Sequence, residues 1–152
     1  MTGFSIARII SSVGYIGRLP LAPGTAGSFA AFCGWYIIFP KINTPYFIFL
    51  TLIIFFIGVY VSKLIEEHLA VHDPGEIVID EWVGQWVALW WLELSFFLGL
   101  IVFFVFRIFD IWKPWPINKL DLISHGWGVM LDDVFAGIYT ILVIQTILFI
   151  LK

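Results

Sequence analysis

Between Trp82 and Phe106 the chain carries a single charged side chain, Glu93. Three further blocks, Ala26–Phe39, Tyr46–Val61 and Val134–Leu151, carry none. Segments this apolar belong in lipid, where a helix satisfies every backbone N–H and C=O within itself. Composition agrees. Of 152 residues, 61% are hydrophobic and 12% are charged, against about a quarter charged in an average soluble domain. So few charges cannot cover a water-facing surface, which excludes an ordinary soluble enzyme and a disordered chain. The net charge of -3 and the lack of a basic run exclude electrostatic binding to nucleic acid. The lone cysteine, Cys33, excludes a disulfide framework and a cysteine-based metal site.

A span takes about 20 residues, so Trp82–Phe106 is long for one and divides at Glu93-Leu94-Ser95, read as a tight turn. The expectation is an all-α, polytopic membrane bundle forming one domain over residues 1–152, with five transmembrane helices near 26–39, 45–65, 81–93, 95–112 and 133–151. A short N-terminal interfacial helix precedes them. Phe4, Ile6, Ile9 and Ile10 give its apolar face, and Ser5, Arg8 and Ser12 its polar one. No small-residue cleavage site follows Ile6–Ile10, so this stretch does not read as a secretory signal.

With the N-terminus in the cytoplasm, five crossings put Arg8, Arg18, Lys63, Arg107, Lys113 and Lys119 inside, and Lys41 and Lys152 outside. That distribution obeys the positive-inside rule. The acids follow the bases without being required to: Glu66, Glu67, Asp73, Glu76, Asp80, Glu81, Asp110, Asp121, Asp132 and Asp133 share that side, and only Glu93 does not. The chemistry is therefore expected on one membrane face, not along a transport path, where polar groups would sit at mid-membrane depth.

Three polar clusters fall at the cytoplasmic helix ends. Asp73-Pro-Gly-Glu-Ile-Val-Ile-Asp-Glu81 starts with a turn and ends with two acids that open a helix. Arg107, Asp110 and Lys113 step by three along one helix face, before Pro114 and Pro116 stop it. Gly126-Trp-Gly-Val-Met-Leu-Asp-Asp133 brings a second acid pair to the start of the last helix. Carboxylates from separate helices meeting at one depth make an oxygen cage for a hard cation. Mg²⁺ suits such a cage, since it takes one or two carboxylates, several waters and substrate phosphates. Glu81, Asp80, Asp110 and Asp133 are the candidate metal ligands, and Asp132 is a ligand or a nucleophile. Arg107, Lys113 and Arg18 are candidates to pair with phosphate oxygens. A fourth segment, Gly14–Ser28, is rich in Gly and Pro. Its Gly24 would let backbone approach a phosphate closely, and its Thr25 would cap the helix that follows.

Plainer readings stand beside these. Acids that open a helix also complement its macrodipole, and Arg107–Asp110–Lys113 also works as a structural ladder. The Gly14–Ser28 glycines and prolines also serve as turns. Glu66 and Glu67 read as a solvated face, His68 and His72 as a wetted helix end, and the eight tryptophans as mostly interfacial belt. Asp110, at a helix C-terminal end, requires a cationic partner. Ser28, Ser62, Ser95 and Ser124 lack a His–acid arrangement, so the nucleophile is metal-activated water or an aspartate.

Pro23-Gly-Thr-Ala-Gly-Ser28, the 73–81 segment, Phe106-Arg-Ile-Phe-Asp-Ile-Trp-Lys-Pro-Trp-Pro-Ile117 and the 126–133 segment closely resemble the phosphatidylglycerophosphatase A family, in its order and over about residues 5–150. The resemblance implies a Mg²⁺-dependent lipid phosphatase of the bacterial inner membrane. Its substrate would be phosphatidylglycerophosphate and its products phosphatidylglycerol, the precursor of cardiolipin, and inorganic phosphate. Asp80, Glu81, Asp110, Asp132, Asp133, Arg107 and Lys113 fall on the family's motif positions. Where the family often has Gly-Gly, this chain has His125-Gly126, which offers His125 as a proton donor. Two alternatives rank lower: a carrier or channel for an anionic solute, and a phosphatidyltransferase, whose Asp-Gly-x-x-Ala-Arg signature is missing.

Overall fold

The computed structural model describes residues 3–120, 122–123 and 125–151. Asp121, Ser124 and Lys152, which entered the charge map and the search for nucleophiles, lie outside the described residues. Among those described, no strand occurs. The helices are α1 (Gly3–Ser11), α2 (Pro23–Ile38), α3 (Thr44–Leu69), α4 (Ile79–Ala88), α5 (Phe96–Trp112), the single turn α6 (Ile117–Leu120) and α7 (Trp127–Ile150).

Local chemistry sets their ends. The Asn43 side chain accepts a hydrogen bond from the Tyr46 N–H and Pro45 follows it, so α3 starts at Thr44. Ser95 caps α5 through the Leu98 N–H. Lys113, with φ 44, turns the chain out of α5 ahead of Pro114. Pro23 opens α2 after Ala22, so Thr25 lies inside the first turn and is not the cap. The third helix is shorter than expected: α4 ends at Ala88, and residues 89–95 form a wider turn than Glu93–Ser95 alone. The last helix is longer, starting at Trp127 and not near residue 133.

Two helices, α3 with 26 residues and α7 with 24, are long and apolar enough to cross a membrane. The others fall short of that length. α5 has 17 residues and α2 has 16, while the 10 of α4 reach only about 15 Å. α4 is the hub, packed on α7, α2, α3 and α5. Where lipid is the surrounding solvent, close packing has to hold helices together, and small residues permit it. A Cβ on Gly84 would stand 2.6 Å from the Asp133 carbonyl oxygen, so only glycine lets α4 lie this close to α7.

Not all tryptophans form a belt. Trp35 and Trp86 are core residues, and the Trp86 indole donates to the Ala31 carbonyl at 2.8 Å, tying α4 to α2. Trp91, Trp112 and Trp115 are exposed, as a belt requires. The helix at the N-terminus forms as expected and packs on α3. Its Phe4 ring stacks on His68, which is thus a packing residue and not simply wetted. Its Arg8 grips both oxygens of Glu76, with Nη2 at 2.7 Å from Oε2. The carboxylate holds the Arg8 guanidinium above its ordinary pKa.

Candidate active site

Four helix ends converge at one end of the bundle: the first turns of α2 and α4, the last turns of α5, and the second turn of α7. They enclose a cavity of about 350 Å³. Gly24 and Thr25 reach it from α2, Asp80 and Glu81 from α4, Arg107 and Asp110 from α5, and Asp132 and Asp133 from α7. Lys113 and Asp73 complete its charged wall.

Arg107 organises one side. Its Nη1 donates to the Ser28 hydroxyl at 3.1 Å, pairs with Asp110, and stands 3.9 Å from Glu81 Oε1. Ser28 in turn donates to the Gly24 carbonyl. Asp110 thus finds the cationic partner that its helix-end position demands. Lys113 does not continue that ladder. The left-handed turn takes it across to α7, where Nζ lies 2.6 Å from Asp132 Oδ2. Gly24 has a sharper role than backbone approach to phosphate, because a Cβ there would collide with Glu81 Oε1.

The macrodipole reading holds for Asp80 and Glu81, which sit in the first turn of α4. It does not hold for Asp132 and Asp133. They lie in the second turn of α7, buried, where the unsatisfied N–H groups of the helix end are already behind them. Arg18 is not among the residues lining the cavity. It lies over the Tyr15 ring, with Nε 3.8 Å from Glu76.

Two residues here escaped the sequence reading. By sequence Asp73 is part of a turn, yet it lines the cavity, close enough for its charge to act on Asp80 and Glu81. Its position in the motif that ends in Asp80-Glu81 was the available signal. Glu66, expected on a solvated face, is buried. It accepts from the Gly126 N–H at 2.7 Å and from the Asp73 N–H at 3.2 Å, and pairs with His72 Nδ1 at 2.7 Å. Glu67, by contrast, is exposed beside Lys63. One helical step, about 100°, separates the wet face from the dry one.

The donor set fits a hard cation. Asp80, Glu81 and Asp133 each offer an oxygen, and the three oxygens lie within 4.8 Å of one another. Asp80 Oδ1, Glu81 Oε2 and Asp133 Oδ2 are buried with no protein hydrogen-bond partner. Buried polar atoms in native proteins are otherwise nearly always paired, so orphaned oxygens in one cluster mark a place for a ligand. Among the described residues, six carboxylates line the cavity against Arg107 and Lys113, a formal excess of four negative charges. A multivalent cation held by these oxygens would offset their charge toward an anionic ligand. Asp110 pairs with Arg107 and Asp132 with Lys113, beside the group formed by Asp80, Glu81 and Asp133.

Residues 9–148 match the family model of phosphatidylglycerophosphatase A. A protein of that name from Escherichia coli is 38% identical over 124 residues, 80% of this chain and 72% of its own length. Another, from Haemophilus influenzae, is 38% identical over 133 residues, 86% of this chain and 82% of its own. A Bacteroides thetaiotaomicron protein, named a candidate phosphatidylinositol-3-phosphatase, is 34% identical over 135 residues, 84% of each chain. No solved structure matches the chain.

Proposed function

Because the chain belongs to the phosphatidylglycerophosphatase A family and is a phosphatase, we propose that it hydrolyses phosphatidylglycerophosphate to phosphatidylglycerol and inorganic phosphate, with Mg²⁺, in phosphatidylglycerol and cardiolipin synthesis. It would work as a multi-pass protein of a bacterial inner membrane, with the cavity on the cytoplasmic face. The observation that carries the reading is the single cavity in which Asp80, Glu81 and Asp133 face Arg107 and Lys113.

Asp80, Glu81 and Asp133 would hold the cation. When bound, Mg²⁺ supplies charge neutralisation for the phosphate and lowers the pKa of a coordinated water. The chain's own residues do the rest. Arg107, fixed by Ser28 and Asp110, presents a planar set of donors to the phosphate oxygens. Lys113 offers a second positive charge and holds Asp132 in place. Asp132 therefore fits a proton-handling or nucleophilic role better than that of a free ligand. Gly24 and Thr25, in the first turn of α2, add backbone N–H groups. Exposed apolar side chains on α3, α5 and α7 face the bilayer that retains the lipid tails.

The carrier reading ranks lower, since the charged side chains of the cavity gather at one end of the bundle and α4 packs closely on α7 at Gly84 and Gly137. The test is phosphate release by purified protein in lipid, with Mg²⁺ and with chelator. Phosphatidylinositol 3-phosphate serves as the competing substrate. Release from phosphatidylglycerophosphate alone is expected. Preference for the inositol lipid, or activity indifferent to chelator, would overturn the substrate or the metal assignment respectively.

A further inference from the structure

Glu66 sits outside the cavity, yet its carboxylate joins three parts of the chain that the cavity depends on. It leaves α3 near its C-terminal end and is 8% exposed. One oxygen, Oε1, accepts from the Asp73 N–H and meets His72 Nδ1, and the other, Oε2, accepts from the Gly126 N–H. Asp73 lines the cavity, and Gly126 immediately precedes the helix that carries Asp132 and Asp133.

The backbone around this carboxylate is strained at several points. Ala70, Asp73 and His125 are non-glycine residues with φ of 52°, 46° and 68°, and Gly126 has φ 76°. Left-handed conformations in residues with a Cβ persist only where surrounding contacts impose them. Gly126 is also pinned sterically, since a Cβ there would collide with the Val59 carbonyl of α3. The Glu66 carboxylate reaches both turns, accepting from the Asp73 amide in one and the Gly126 amide in the other.

We propose that Glu66 is a positioning residue, whose buried carboxylate holds the strained 70–73 turn so that Asp73 stays on the cavity wall, in register with the start of α7. The inference rests on the phosphatase reading for its kinetic consequence, but its structural content is separate. The amides of Asp73 and Gly126 are donors to Glu66, so their hydrogen exchange reports the clamp without any substrate.

The experiment uses the full-length protein in lipid, as wild type, Glu66→Gln, Asp73→Asn and the double variant. Glu66→Gln keeps the volume but replaces one acceptor oxygen with a donor. Exchange at Asp73 and Gly126 is expected to quicken about tenfold or more, with kcat lowered about tenfold and KM changed less than about twofold. In the Asp73→Asn background the same substitution is expected to cost less than about twofold, because the residue it positions is already disabled. Additive losses in the double variant, or unchanged exchange at both amides, would overturn the proposal. If Glu66→Gln does not fold, His72→Ala loosens the same carboxylate from its exposed side. It is expected to quicken exchange at Asp73, and unchanged exchange there would equally sink the idea. A wild type that releases no phosphate defeats the phosphatase reading alone, since the exchange result would stand.

Discussion

At one end of the bundle a cavity of about 350 Å³ gathers six carboxylates, Arg107 and Lys113. At the other a larger one, about 480 Å³, is lined by Trp91, Glu93, Leu98, Gln145, Leu148 and Phe149. Along α7 the two are separated by the rise from Asp133 to Gln145, about 18 Å. Among the described residues the larger cavity has one acid and no cationic lining residue, and its Gln145 amide donates to the Trp91 carbonyl. Volume is thus a poor guide to chemistry in this protein. What distinguishes the charged end is convergence: Gly84 lets α4 approach α7, and Gly24 leaves room for the Glu81 carboxylate beside α2. At the opposite end the wide 89–95 turn leaves α4 and α5 spread apart in sequence, and mostly apolar side chains line the space between them and α7.

Several perturbations would break or sharpen this contrast. Removing divalent cations with chelator is expected to abolish phosphate release and added Mg²⁺ to restore it, read as initial rate against free Mg²⁺. Asp80→Asn or Asp133→Asn is expected to lower kcat/KM by about 10³-fold, the scale for losing an electrostatic element that acts on the transferring phosphate. Activity within tenfold of wild type in both would remove them from the metal site. Arg107→Lys keeps the charge but loses the fork that spans Ser28 and Asp110, and a loss of about 10²-fold is expected. Gly84→Ala touches no charged group, yet its methyl would press on the Asp133 carbonyl. Displacing α7 by a fraction of an ångström is expected to cost about tenfold in kcat and about 1–3 kcal/mol in stability, measured by steady-state kinetics and thermal melting in detergent. Glu93→Gln, at the opposite cavity, is expected to leave kcat/KM within about twofold, the ordinary range for a substitution away from the chemistry. A large loss there would mean that the two ends are not as unlike as their linings imply.

Much of this was legible in the residues. Continuous apolar blocks separated by charged segments specify helices, and capping residues such as Asn43 and Ser95 fix two of the starts. The one-sided distribution of acids and bases pointed to a single charged end, and the cavity lies there. The differences have a common physical source. The apolar block from Val134 onward makes Asp132 and Asp133 look like helix-opening acids, but the helix has already begun at Trp127. Sign of charge groups Arg18 with the phosphate-binding residues, and in the structure it lies beside Glu76 and the Tyr15 ring, off the cavity lining. Glu66 and Glu67 are adjacent and chemically alike, and the environments that separate them are supplied by segments distant in the chain.

By itself the sequence determined that the chain is helical and suited to lipid, which family's motifs it carries, and that its charged side chains gather toward one end. Those properties depend on hydrophobicity, helix-end chemistry and residue order, all of which are local. Only the tertiary structure decided which carboxylates share a cavity, that Asp110 and Asp132 are taken up by Arg107 and Lys113, and that Glu66 is buried between two strained turns. Those outcomes depend on distances between side chains far apart in sequence. Such distances are set by how closely α4 can lie against its neighbours, and that is a property of packing.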